Sequence, residues 1–242
     1  MDYQFDWHVF LEKASANETF LDWIFSGLKV TIAVGLSSWI LALVLGSVLG
    51  VMRNSRRRWI SAIAATYVEV FRNIPLLMQL FLWYFVAPEL LPGGTDFKHA
   101  DTVVQQFTAS VICLSTFTAA RICEQVRSGL GSLPRGQRGA GLALGMSKIQ
   151  TYRYVLLPVA FRVIVPPLTT EFVNVFQNSA LASTIGLLDL AAQGRQLVDY
   201  TARPYESFIA VTLLYCIISF VVILLMRWIE KRTQLPGSIE RK

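Results

Sequence analysis

Apolar residues in this chain gather into long runs separated by short charged stretches. Charge is absent from Val30 to Met52 (23 residues), from Thr102 to Ala120 (19) and from Ser207 to Met226 (20). At a rise of about 1.5 Å per residue, each run covers a hydrocarbon core of roughly 30 Å, so each predicts a membrane-crossing helix. Two further runs are interrupted by charge: 67–90, with Glu69 and Arg72 near its start, and 163–188, with Glu171 inside. Backbone groups facing lipid have no partner except within their own helix, so both runs predict helices as well. The expectation is an all-α integral membrane protein with five transmembrane helices.

Within the runs, single residues refine the picture. Gly46 and Gly50 form a small-xxx-small pair that either admits a second helix at close range or is ordinary glycine in a membrane helix. Glu69 and Arg72 are spaced to pair at i, i+3, as are Arg121 and Glu124. Pro75 removes a donor and predicts a kink in the second span. Residues 135–158, RGQRGAGLALGMSKIQTYRYVLLP, contain basic groups and no acid, and read as helix, turn, helix. Gly145 suits the left-handed end of the first helix; Ser147 with Gln150 forms a capping box for the second, and Pro158 marks its end. Ile149, Tyr152, Val155 and Leu156 would form one apolar stripe, fit either for anionic lipid or for a groove in a partner.

Composition agrees with lipid burial and adds an orientation. Of the 242 residues, 54% are hydrophobic and 16% charged, with a mean hydropathy of +0.49. Fifteen of the 22 Lys and Arg fall in 53–58, 127–162 and 227–242, whereas 1–22, 86–101 and 187–206 hold 11 acids and four basic groups. Positive charge stays on the cytoplasmic side, which puts the amino terminus outside and the carboxyl terminus in the cytoplasm. The net charge of +6 thus reports topology and calls for no nucleic-acid partner. Acids among the first 22 residues argue against a cleavable signal peptide. Cys113, Cys123 and Cys216 fall within predicted spans as packing residues, His8 and His99 stand alone, and no metal site is expected.

The helix-turn-helix stretch also resembles a known element. Ala140, Gly145, Val155, Leu157 and Pro158 resemble, in a register without a gap, the cytoplasmic EAA loop of bacterial ABC-importer permeases, with Gly139 in place of its Glu and Gly141 in place of its second Ala. In that pattern EAA is followed after three residues by G, and after nine more by I, any residue, LP. EVFRNIPLLMQ at 69–79, EQVRSG at 124–129 and TEFVNVFQNSAL at 170–181 are similar to the polar amino-acid branch, in particular its glutamate/aspartate permease subunits. The resemblance spans nearly the whole chain and implies the type I ABC importer permease fold. It also implies a periplasmic segment 1–22, one transmembrane domain 23–232 with a coupling loop 130–160, and a cytoplasmic tail 233–242 of a bacterial inner-membrane protein.

What the resemblance implies about function is equally specific. The loop, with Gly139, Ala140, Gly145, Ser147, Tyr152, Val155, Leu157 and Pro158, would dock into an ABC ATPase dimer. Gly139 stands where the family has its Glu, which suggests pairing with a paralogous second permease subunit that keeps it. No GxxxxGK[ST] loop is present, so ATP and Mg would be bound by the partner ATPase, with no cofactor and no enzymatic activity in this chain. A periplasmic solute-binding protein would deliver the amino acid. Glu171, Asn174 and Asn178 share a helix face, and family members place solute-site carboxylates at positions matching Glu171 and Asn178. The neutral Asn178, and Arg121 where relatives have an uncharged aromatic, favour an acidic solute, with Gln79 a further wall residue. Arg121 either grips a carboxylate or neutralises Glu171. Glutamate or aspartate is the expected solute, with neutral polar or basic amino acids as the alternative.

Overall fold

The computed structural model describes residues 3–90, 94–133 and 135–233; the side chains at 94–96, 135, 138, 148, 152, 157 and 233 lie outside that description. The expected tail thus lies outside the described residues, apart from the Thr233 backbone. A 3-10 turn, Trp7–Leu11, precedes α1 (Phe20–Arg53). Then come α2 (Arg58–Asn73), α3 (Leu76–Leu90), α4 (Gly94–His99) and α5 (Thr102–Gly131). The rest comprises α6 (Arg135–Ala143), α7 (Lys148–Thr151), α8 (Leu157–Ser179), α9 (Leu190–Thr201) and α10 (Pro204–Thr233).

Four helical stretches among the described residues are long and apolar enough to cross a membrane: Phe20–Arg53, Thr102–Gly131, Pro158–Ile185 and Pro204–Arg232. The second expected span is not one kinked rod. It is a pair, α2 and α3, bent by 103° at Pro75. Ile74 is extended (φ −91°, ψ 129°), as the residue before a proline must be when the ring crowds the helical conformation. The break frees carbonyls at the end of α2, and the buried Gln79 takes them up, its Nε2 donating to Phe71 O at 2.7 Å and Ile74 O at 2.8 Å. Pro75 thus makes a capped corner. The Glu69–Arg72 pair does not form: both side chains point outward from α2, and Glu69 instead accepts from Asn73, one turn on, at 3.5 Å.

The bundle is organised by α1 lying along α5, its most extensive helix contact. The glycine pair makes this possible. A Cβ added at Gly46 would sit 2.7 Å from the Ile122 Cβ, and one at Gly50 2.6 Å from the Val126 Cβ. Both distances lie inside van der Waals contact, so backbone approaches helix where any side chain would hold it off. Two turns before Gly46 on the same face of α1, the Trp39 and Phe172 rings stack at 4.3 Å, joining α8 to one core with Ile122, Val126 and Val222. α2 is tied on by the Tyr67 hydroxyl, which donates to Thr116 O at 2.8 Å. Cys113 and Cys123 are buried packing residues, and Cys216 is exposed on α10.

Replacing Gly46 or Gly50 by Leu should destabilise the bundle by about 1–3 kcal/mol or more through overpacking. Gly131→Ala, whose Cβ meets nothing within 4 Å, should be neutral or slightly stabilising. Thermal unfolding of the detergent-purified protein, followed by the fluorescence of a thiol-reactive dye on newly exposed cysteines, checks both.

Candidate functional site

α5 and α8 cross in the middle of the bundle, and there the two ionisable groups of the expected site meet. Arg121 Nε lies 2.6 Å from Glu171 Oε2. Glu171 is buried, with 5% of its side chain exposed, whereas Arg121 keeps 40% of its own accessible. An ionised group alone in an apolar bundle costs roughly 2.5–3.5 kcal/mol to insert, which the opposite charge offsets. Of the two sequence alternatives for Arg121, neutralisation of Glu171 is therefore realised. Its Nε is the atom engaged, and the guanidinium rests 5.9 Å from the Phe117 ring centroid. The terminal Nη pair makes no other hydrogen bond among the described residues. That pair is the end-on fork that matches a carboxylate.

Along α8, Asn174 and Asn178 are half-buried, and Asn178 lines a narrow cleft with Leu76, Leu80, Ser110 and Cys113. Gln79 is turned to the Pro75 corner by its two bonds, and its Oε1, without a partner, borders an apolar pocket formed by Val70, Phe71, Leu82 and Trp83. Arg121, Glu171 and the asparagines thus share the α5–α8 region; Gln79 belongs to the α2–α3 corner.

The expected Arg121–Glu124 pair does not exist, because Glu171 takes Arg121. Glu124 is instead bracketed by two guanidinium groups, Arg53 Nε at 3.1 Å and Arg127 Nε at 3.0 Å. This bridge ties the end of α1 to α5. The local i, i+3 spacing of Arg127 was visible in sequence; nothing local signals Arg53, 71 positions away.

The helix-turn-helix forms largely as expected. Gly145 is left-handed (φ +78°), and Ser147 and Gln150 cap reciprocally, Gln150 Oε1 accepting from Ser147 N at 2.8 Å and Ser147 Oγ from Gln150 N at 3.2 Å. Pro158, however, does not end the second helix. A π turn, Tyr152–Leu156, carries α7 directly into α8, since a wider turn accommodates the missing proline donor and the ring's clash one turn back. The extra residue also breaks the expected stripe: Ile149 is 79% exposed and Leu156 only 7%, while the side chains of Tyr152 and Leu157 lie outside the described residues. The apolar tip is made instead by Leu144, Ile149 and Tyr154. Gly141 packs on the buried Thr151, with 2.6 Å from an added Cβ to Thr151 Cγ2, so an alanine would not fit there. Gly139 and Ala140 are exposed, and a Cβ at Gly139 meets open space.

A third polar group was missed by the sequence reading. Asp189 caps α9, its Oδ1 accepting from Ala192 N at 2.8 Å, and is 1% exposed between α1 and α10. Leu190 N donates to Thr31 Oγ1 at 3.1 Å, and Tyr215 Oη lies 3.5 Å from Asp189 Oδ2. Burial pushes the Asp189 carboxyl up to about 6, against the opposing pull of the Ala192 amide, Arg195 and Tyr215. An Asp directly before the periodic segment LAAQGRQLV was the readable signal.

Comparison with known proteins matches residues 42–235 to the family of binding-protein-dependent transport system inner membrane components. The glutamate/aspartate import permease protein GltJ of Escherichia coli (strain K12) is 50% identical to this chain, over 100% of both. The glutamate/aspartate import permease protein GltK of Escherichia coli O6:H1 is 29% identical over 96% of this chain and 99% of its own length. A crystal structure of an amino acid ABC transporter with histidines superposes with a TM-score of 0.74 at 29% identity, covering 88% of this chain and 95% of that one.

The raised Asp189 carboxyl has a defined sign. A group that binds its proton more tightly when folded stabilises the fold below its unfolded value near 4, and loses that contribution as pH rises through about 6. Asp189→Asn, which keeps the cap acceptor, should therefore unfold at higher temperature than wild type at pH 7.5. The gap, worth up to about 3 kcal/mol, should close by pH 4. A gap that does not change with pH would show that burial leaves Asp189 unshifted.

Proposed function

We propose, from the premise that this chain belongs to the family of binding-protein-dependent transport system inner membrane components, that it is a membrane-spanning subunit of an ABC importer for glutamate and aspartate. The observation that carries the solute class is the Arg121–Glu171 pair: a guanidinium held by its Nε, with its terminal fork still accessible inside the bundle. The buried carboxylate fixes the fork, and the fork takes a carboxylate of the solute through two parallel charge-assisted hydrogen bonds. Asn174 and Asn178 extend the polar wall along α8 and supply acceptors for the solute ammonium. Gln79 maintains the corner that shapes the neighbouring wall. The full-length likeness to GltJ supports the same solute class.

In this reading the amino terminus is outside, the carboxyl terminus is cytoplasmic, and α6–α7 dock into a separate ATPase dimer that binds ATP and Mg. This chain needs no cofactor of its own. A solute-binding protein delivers the amino acid from the periplasm. The tip at Leu144 and Ile149 supplies apolar contact. The acidic contact that Gly139 lacks comes from a paralogous permease subunit, in keeping with two Escherichia coli relatives, GltJ and GltK, that are both glutamate/aspartate import permease proteins. ATP-driven closure of the ATPase shifts loop and spans together, which links nucleotide state to exposure of the path.

The assembly of both permeases and the ATPase in proteoliposomes, with the binding protein outside, tests each half. Arg121→Ala should raise the half-saturating concentration for glutamate uptake or lower its rate by roughly 10–100-fold, the worth of about 1.5–3 kcal/mol for hydrogen bonds to a charged group. Uptake of a neutral amino acid harmed equally would refute the acidic-solute reading. Ile149→Asp with Leu144→Asp should abolish stimulation of ATP hydrolysis by the loaded binding protein, and unchanged stimulation would overturn the docking assignment.

A further inference from the structure

We propose that the N-terminal segment Tyr3–Leu11 is an interfacial anchor, seated on α10 and inserted among phospholipid headgroups at that end of the bundle. The segment is too short to hold itself. It is fixed by Glu206, fully buried at the start of α10, which accepts from the Tyr3 hydroxyl and, at 2.8 Å, from Asp6 N. Arg203 Nη1 donates to Gln4 O at 2.8 Å. Asp6 in turn caps the 3-10 turn through His8 N at 3.0 Å. Thus held, the segment has two faces. Val9 is buried in a cluster with Phe20, Ile24 and Leu197. Phe5, Trp7 and Leu11 point away, at 56%, 50% and 65% exposure, with the Phe5 and Trp7 rings nearly parallel.

What covers that outward face follows from its continuity with α10. The Tyr205 ring meets Tyr3 edge-on at 4.5 Å and lies 6.3 Å from Phe5. Below Tyr205, exposed Phe208, Leu213, Ile217, Phe220 and Leu224 run down α10, of whose most apolar stretch only 11% is buried. A shallow groove lined by Pro204, Tyr205, Phe208, Ile209, Thr212 and Leu213 opens beside the aromatic cluster. The stripe ends at exposed Trp228, against which Arg232 rests at 5.1 Å. From Tyr205 to Trp228 the helix rises about 35 Å, close to the roughly 30 Å of hydrocarbon that separates the two aromatic belts of a membrane protein. Trp228 with Arg232 marks one interface, and Tyr205 with Tyr3, Phe5 and Trp7 marks the other. Residues 1–22 hold five acids and one Lys, so the anchor works by apolar insertion and gains nothing from anionic headgroups.

A nitroxide at Leu11→Cys, in a Cys216→Ser background of the assembled transporter in phosphatidylcholine nanodiscs, tests this. Collision with oxygen and with a water-soluble nickel chelate gives its depth. Wild type labelled at its native Cys216, exposed on α10, serves as the lipid reference, and Asn17→Cys in the Cys216→Ser background, exposed in the loop before α1, as the water reference. The Leu11 label should show an oxygen-to-nickel ratio several-fold above that at residue 17, within about 10 Å of the headgroup boundary. Neither anionic lipid nor added solute-binding protein should change it. Retained uptake shows each labelled variant is folded, and Phe5→Cys is the second probe. Nickel accessibility equal to that at residue 17 would overturn the proposal. So would shielding that begins only when the binding protein is added, which would make the face a protein dock. The outcome is independent of which solute the bundle carries.

Discussion

A bilayer offers no water to an unpaired amide or carbonyl, and this fold is arranged around that constraint. At several breaks in the helical ladder the chain supplies its own substitute. At the Pro75 corner Gln79 takes the carbonyls of Phe71 and Ile74. At Pro158 a π turn keeps the helix running. Past the end of α8, a 3-10 turn, Ala180–Ile185, closes on left-handed Gly186. There the α9 amides find Asp189 and Thr31. Two of these repairs are side chains, Gln79 and the Asp189–Thr31 pair, and two are backbone turns, so breaks that would loosen a helix in water become fixed corners here.

The charges obey the same rule. Arg121 and Glu171 come from helices 50 positions apart, and each makes the other tolerable in an apolar bundle. Breaking such a pair leaves one uncompensated charge, which costs more than the pair contributes. That asymmetry makes the site robust as a pair. The two partners differ in access, with 5% of the Glu171 side chain exposed and 40% of the Arg121 side chain; in the proposed importer the carboxylate is the fixed post and the guanidinium the working end. The Arg53–Glu124–Arg127 bridge has a surplus cation and lies nearer the helix ends, where it joins α1 to α5 without a polar group deep in the bundle.

Long elements and local turns were legible in the sequence; pairings across helices were not. Charge-free runs located α1, α5 and α10, because a span's length is set by the bilayer and not by packing. Gly145 and the Ser147–Gln150 box were legible because each depends on residues within one turn; the Gly46–Gly50 pair left two readings open, and the contact with Ile122 and Val126 of α5 decides for close approach. The i, i+3 rule misassigned Glu69 and Arg121, since a partner on a neighbouring helix or one turn further competes with a local one, and spacing cannot rank them. Pro75 was read as a kink because sequence shows the missing donor but not the glutamine that stabilises a full corner. The apolar stripe at 149–156 failed for a geometric reason. One inserted residue in a π turn rotates everything after it by roughly a quarter-turn or more.

Gly141 gives the most specific link between loop and bundle. The family pattern has alanine there, but Thr151 occupies the space a methyl would need, so α6 and α7 close more tightly on each other than two alanine-bearing helices could. From α7 the chain is helical without interruption through the π turn to Ser179, and Glu171 lies on that same rod, 22 positions beyond the exposed Ile149. In the proposed importer, a tip held rigidly against its own turn transmits displacement, whereas a hinged one would absorb it. Because Glu171 fixes Arg121, any shift of the rod that lengthens their 2.6 Å contact also changes what the guanidinium fork can hold. Nucleotide state at one end and solute affinity at the other then become two readings of one helix position.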